Sequence, residues 1–208
     1  MSGRIFPVSS SSAATKRPYH HGHLRETLLD VALRQLATTP AAQLSLRELA
    51  RAAEVSHTAP YHYFADRQAL IHAAGVEGMR RLLQAQTDAA AQAQGARARL
   101  LALGAAYVRF AAEQPHAFGL VFDPQYCKPG DPSEDMAPLI AGNEALLADC
   151  VVQAQQAGVL PSGDPAPLCH ALWGTVHGLA QLVMAGHLPL DAALVALGAL
   201  LPPDAQPR

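Results

Sequence analysis

Three groups of side chains in this 208-residue chain have types and spacings that could do chemistry. His170, Trp173 and His177 stand at i, i+3 and i+7, so on a helix they share one face, which Ala180 and Met184 extend. Polar tips on apolar bodies suit the wall of a ligand cavity, and they suit equally a packed core with a backbone-bonded imidazole. Tyr107, Phe110, Phe118 and Phe122 fall in two adjacent helical stretches and could wall the same cavity, although core packing explains them too. Tyr61-His62-Tyr63 follows a short segment containing Arg47, His57, Thr58 and Ala59. There, hydroxyls suit phosphate oxygens and a guanidinium suits a base edge, the alternatives being a packed helix junction and a solvated charge.

Other chemistries find little support. Ten histidines and three cysteines invite a metal, but Cys169 and His170 are adjacent and point to different helix faces, and no carboxylate joins them at a matching spacing. Cys127, Cys150 and Cys169 are far apart and in no C-x-x-C arrangement, so no disulfide framework or structural zinc is expected and reduced thiols in a cytoplasm are the default. No phosphate-cradling Gly-rich loop, nucleophile elbow or H-E-x-x-H occurs, so no catalytic residue, metal or cofactor is assigned and an enzyme is not expected. A helical metalloenzyme remains the rival reading, resting on the His and Cys content alone. Residues 1–16 contain no apolar leader core and no segment is apolar for long enough to span a bilayer, so a protein that is neither secreted nor in a membrane is expected.

The elements that would position these groups read as helices throughout. The chain is 50% hydrophobic with only 5% aromatic residues, and β-branched runs are scarce, which disfavours a sheet. Apolar residues Leu24, Leu28, Leu29, Ala32, Leu33 and Leu36 recur at helical spacing and predict a first helix over 24–37, ended by Thr38-Thr39-Pro40. Ser45-Leu46-Arg47-Glu48 is a capping box that starts a short helix to residue 53, with Leu46, Leu49, Ala50 and Ala53 inward. A second short helix is predicted over 57–64, then a long one over 67–91. Further stretches over 96–114, 115–121, 136–157, 165–185 and 191–201 complete an all-α chain; 123–135 is its longest loop and Asp164 the N-cap after the Pro161–Asp164 turn. Residues 1–81 carry ten basic against six acidic side chains, net +4, and the remainder is net −6; a polyanion at one end, or scattered surface charge, accounts for the bias.

Two short helices around Glu54-Val55, preceded by a supporting helix, form a helix-turn-helix pattern. Residues 44–70, L-S-L-R-E-L-A-R-A-A-E-V-S-H-T-A-P-Y-H-Y-F-A-D-R-Q-A-L, resemble the TetR family of transcriptional regulators in the Tyr-x-Tyr-Phe close and the Asp-Arg-x-x-Leu restart. The resemblance runs over 19–70 and continues in Trp173-Gly174-Thr175-Val176-His177-Gly178, similar to the W-x-x-x-H-G signature of one C-terminal subgroup. It implies a three-helix DNA-binding domain over 19–65 and a larger helical ligand-binding and dimerisation domain over 66–201; the Ser/Ala-rich composition before Lys16-Arg17-Pro18 predicts a flexible arm over 1–18, and Pro202-Pro203 a tail over 202–208. Two positions depart from the family: Glu54, where Gly is usual and a positive φ costs about 1 kcal/mol, and Pro60, which requires the recognition helix to begin late or be irregular.

The expected function is a repressor that binds a palindromic operator as a homodimer and is released by a small ligand; a ligand-independent architectural DNA binder is a third reading. His57, Thr58 and Ala59 are short or polar enough for base edges, and Arg47 could reach a guanine. Ser45, Tyr61, His62, Tyr63 and Arg67 complete the expected DNA contact set, Ser45, Tyr61, Tyr63 and Arg67 on the phosphates. Tyr107, Phe118, Phe122, Trp173 and His177 are the expected ligand contacts. Leu194, Val195, Leu197, Leu200 and Leu201, on the last helix, are the expected apolar dimer face.

Overall fold

A computed structural model describes residues 23–201; the predicted arm over 1–18 and tail over 202–208 lie outside the described residues. Within them the chain forms eight α-helices and no strand: α1 Leu24–Leu36, α2 Leu46–Ala52, α3 Arg67–Gln92, α4 Ala96–Glu113, α5 Pro115–Phe122, α6 Ala137–Gln156, α7 Pro165–Met184 and α8 Leu190–Ala199. Each ends within two residues of its expected position, because the signals at the ends are local. Ser45 Oγ accepts from the Glu48 amide at 3.1 Å, Asp66 Oδ1 from Ala69 at 2.8 Å, and Asp164 Oδ1 from Ala166 at 3.0 Å, each satisfying an orphan donor of a first turn. Only the serine half of the expected capping box forms; the Glu48 carboxylate lies 4.0 Å from Arg51.

The predicted helix over 57–64 is the exception. Only Ala59–His62 is helical, as a 3-10 turn with Pro60 buried in its first turn. Pro60 has no N–H to give, and the surrounding amides close short i→i+3 bonds, Tyr61 to Thr58 at 3.1 Å and Tyr63 to Pro60 at 3.0 Å. Glu54 takes φ 56°, the left-handed conformation expected of the turn, and is the one non-glycine residue with positive φ among those described.

Leu28, Leu29, Leu46, Leu49, Phe64 and Leu70 close a core between α1, α2 and the start of α3. The opposite side of α1 is apolar as well: Leu33 and Leu36 pack with Ile71, Ala117 and Leu120, so α5 of the C-terminal bundle shares a core with α1 and α3. Gly75 and Gly78 on α3 face α5, with Leu120 Cβ at 3.7 Å and the Ala117 carbonyl at 3.6 Å from where their Cβ atoms would lie, which is ordinary contact distance. Arg81 on α3 reaches Asp30 on α1 and Glu77 on its own helix. Burial opposes ionisation of Glu77, but Arg80 and Arg81 outweigh it and hold the carboxyl below its usual range. The N-terminal helices are therefore fastened to α3, a rod of 26 residues or roughly 39 Å at 1.5 Å per residue.

Candidate nucleic-acid interface and ligand-binding region

Arg47 projects from the exposed side of α2, opposite buried Leu46, Leu49 and Ala50. Beyond the Glu54 turn, His57, Thr58, Tyr61, His62 and Tyr63 are all exposed, Tyr61 at 50%, while Pro60 and Phe64 turn inward and anchor the segment. Ser56 Oγ and Thr58 Oγ1 lie 3.2 Å apart and tie the start of the 3-10 turn. The result is one surface of hydroxyls, imidazoles and a guanidinium mounted on a small rigid core, which can donate to phosphate oxygens and base edges.

Two of the expected contacts also serve the fold. Ala59 is half-buried against the α1–α2 core. Arg67 directs Nε to the Leu44 carbonyl at 3.0 Å and Nη2 to the Ala41 carbonyl at 2.9 Å, bracing the segment that leads into α2. Ser45 is bound to its helix by the cap but keeps its hydroxyl proton. Sequence reasoning passed over Arg25, which is exposed on α1 with its guanidinium carbon 5.9 Å from the Phe64 ring centre, beside this surface. Its spacing shows only a polar position on an amphipathic helix.

In the C-terminal bundle, Tyr107, Phe118, Phe122 and His177 come together as expected. The Tyr107 and Phe118 rings meet edge-on at 5.3 Å, Phe118 stacks on His177 at 5.7 Å, and Phe122 meets His177 at 4.8 Å. Tyr107 and Phe118 are fully enclosed, so these rings fill space with one another. Burial pushes the Tyr107 phenol well above its ordinary range and the His177 imidazole below its own. His170 is exposed and joins no part of this cluster. Trp173 is 47% exposed, its ring 6.2 Å from His177.

Open space lies on the other side of Trp173. A cavity of about 50 Å³ between α3, α4, α6, α7 and α8 is lined by Gln86, Leu100, Leu103, Asn143, Trp173 and Leu197 among others. Of the five expected ligand residues, Trp173 alone lines it. Gln86 and Asn143 went unnoticed in the sequence, yet one signal was available. Met79, Leu82, Gln86 and Ala90 follow the buried stripe of α3, and an amide in such a stripe is out of place unless something pairs with it.

The last two helices are under-packed. Of the twenty residues of α7 only Ala180 is buried, and Trp173, Leu182 (44% exposed), Val195 (74%) and Leu200 (52%) lie open on α7, on α8 and at its C-cap. Leu197 and Leu201, expected on a dimer face, are instead buried within the protomer, Leu197 lying 3.6 Å from where a Cβ of Gly104 would be. No described helix is long and apolar enough to cross a membrane.

Residues 28–74 match the profile of bacterial regulatory proteins of the tetR family, and residues 100–199 that of a tetracyclin repressor-like C-terminal domain. The fold is similar to that of a protein with unknown function from Rhodococcus sp. RHA1, with TM-score 0.75 and 36% identity over 89% of this chain and 96% of that one. It is similar also to the transcriptional regulator FadR from Bacillus subtilis in complex with stearoyl-CoA (TM-score 0.66, 16% identity, 88% and 100% of the two chains). A TetR family transcription regulator from Marinobacter aquaeolei VT8 aligns with TM-score 0.60 and 20% identity over 85% and 94%. Comparison with curated proteins gives no significant match. With an N-terminal helix-turn-helix, a helical C-terminal bundle and both family profiles matched in chain order, the chain belongs to the TetR family of transcriptional regulators.

Proposed function

We propose that this protein is a repressor that binds a palindromic operator as a homodimer and leaves it when a small molecule enters the C-terminal bundle. The observation that carries the reading is the outward set of Arg47, His57, Thr58, Tyr61, His62 and Tyr63 around the buried anchors Pro60 and Phe64. In this reading Arg47, His57 and Thr58 meet base edges, Tyr61 and Tyr63 orient the duplex through its phosphates, and residues 19–65 act as the DNA-binding unit.

A homodimer is supported by α7 and α8, whose apolar open face includes Leu182, Val195 and Leu200, with Gly174 and Gly178 meeting nothing within 4 Å and leaving room for close helix approach. Two such protomers present two recognition segments to successive major grooves, about 34–36 Å apart or at a longer spacing. Ligand release is supported by the shared α1–α3–α5 core, through which a shift of the bundle must move the DNA-binding end, and by the stearoyl-CoA bound to the Bacillus relative. A ligand with about tenfold preference for the DNA-incompatible state supplies about 1.4 kcal/mol per site. Selection of bound duplex from a random pool tests the reading: recovery of a two-fold symmetric site is expected, and absence of any enriched sequence would refute it.

A further inference from the structure

We propose that the ligand of this regulator is a slender uncharged molecule, an aliphatic chain with one hydrogen-bonding group, seated in the cavity between α3, α4, α6, α7 and α8 with that group on Gln86 and Asn143. This rests on the reading of the chain as ligand-responsive, and moves the site from the aromatic cluster to the other side of Trp173.

Gln86 is the one polar side chain that is buried among the described residues, 5% exposed, and it lines this cavity. Burying an amide is costly unless its hydrogen bonds are made. Gln86 Nε2 donates to the Leu103 carbonyl at a long 3.3 Å, and Asn143 Nδ2 donates to Gln86 Oε1 at 2.7 Å. Each amide has two N–H groups and one oxygen, so one N–H on each and the Asn143 oxygen are left for a guest. That set both donates and accepts, which fits a neutral amide, alcohol or ester.

The other lining residues are aliphatic or glycine except for Trp173, and none carries a charge. A carboxylate or ammonium in the cavity would be stripped of water with no counter-charge beside it. The nearby cations are engaged elsewhere: Arg97 Nη2 donates to the carbonyls of Gly198 at 3.2 Å and Leu201 at 3.5 Å at the end of α8, and Arg99 pairs with Gln153 and Asp149 on α6.

The space is small, about 50 Å³, where a pocket for a drug-sized ligand holds about 300–1,000 Å³. A guest must therefore be narrow and must part Leu197 of α8 and Leu200 just after it. Leu200 is half exposed, and α8 carries the open face described above, so entry displaces the helix that borders the proposed dimer contact. Gly104 lines the space, and a Cβ there would stand 3.2 Å from Val176 Cγ1 and 3.6 Å from Leu197 Cδ1, crowding two of the side chains that a guest must pass.

Octanamide and octanoate, which share one chain and differ in charge, are the probes. Each is titrated at pH 7.5 into the full chain, read by the fluorescence of Trp173, the sole tryptophan, and by release of the selected operator. Octanamide is expected to bind saturably and octanoate at least tenfold more weakly. Asn143→Ala, at a half-buried position that tolerates change better than Gln86, and Gly104→Ala are each expected to weaken octanamide at least fivefold while the chain stays folded and bound to the operator, Asn143→Ala with a lowered melting temperature because it leaves the Gln86 oxygen without its donor. Octanoate binding as tightly as octanamide, or octanamide binding indifferent to both substitutions, would overturn the proposal. If neither compound binds while the operator is still bound, the ligand class is wrong and the DNA-binding reading stands. If octanamide binds as described without releasing DNA, the site stands and the release mechanism fails.

Discussion

The Tyr107 hydroxyl and Nδ1 of His177 share a hydrogen bond of 2.9 Å that joins α4 to α7 beneath the Phe118 and Phe122 rings. Desolvation holds the His177 pKa below its ordinary value, so the unfolded chain takes up this proton before the folded one does. Stability from this group is complete above the ordinary imidazole range, near pH 6.5, and is lost as pH falls from there toward the depressed folded value. Thermal melts of wild type and His177→Gln across pH 5 to 8 are expected to show a smaller acid-side loss in the variant. Parallel curves would show that His177 does not titrate differently on folding. Tyr107→Phe should cost about 1 kcal/mol, the worth of one such bond.

At Glu54 a side chain occupies φ 56° in the turn between α2 and the recognition segment. Glu54→Gly should stabilise the protein by up to about 1 kcal/mol, partly offset by the extra freedom of glycine in the unfolded chain. Urea denaturation measures this directly; a loss of stability would mean that the Glu54 side chain contributes more than its backbone strain costs.

Arg67 distinguishes bracing from phosphate contact. Because its guanidinium holds the carbonyls of Ala41 and Leu44, Arg67→Ala is expected to cost about 1–3 kcal/mol of stability, and Arg67→Lys, a point charge without the fork, to restore little of it. An unchanged melting temperature with weakened, less salt-dependent operator binding would instead assign Arg67 to the phosphate backbone.

On the DNA face, Arg47→Ala should cost about 1–3 kcal/mol at the preferred site and relax preference at one base position. With Tyr61 on a phosphate, as proposed, Tyr61→Phe should weaken binding evenly across sequences, because such a contact carries no base information. Repeating the random-pool selection with both variants checks the assignment; a changed motif for Tyr61→Phe alone would reverse the two roles.

For the dimer, Val195→Asp places a charge on a side chain that is 74% exposed in the protomer, whereas Leu197→Asp places one in its core. Sedimentation is expected to find Val195→Asp monomeric and folded, with operator affinity lost along with the dimer, and Leu197→Asp unfolded. A dimeric Val195→Asp would remove α8 from the interface.

What the sequence by itself determined was the local order of the chain. Helix limits were legible because caps, prolines and apolar periodicity act within a few residues, as at Ser45, Asp66 and Asp164, and the helix-turn-helix was legible because its anchors Leu49, Val55 and Phe64 lie within one short segment. The aromatic cluster was foreseeable to the level of which rings meet. Whether they enclose a void was decided by the approach of α4, α5 and α7 in three dimensions, and there the rings close on one another. Tertiary packing likewise turned Leu197 inward and left Val195 out, drew Arg67 to carbonyls more than twenty residues away, and brought Gln86 of α3 to Asn143 of α6. Periodicity gives a helix an apolar side but does not name the helix that will cover it. Pairings between residues distant in the chain depend on the depth and angle at which whole helices meet, which no single segment encodes.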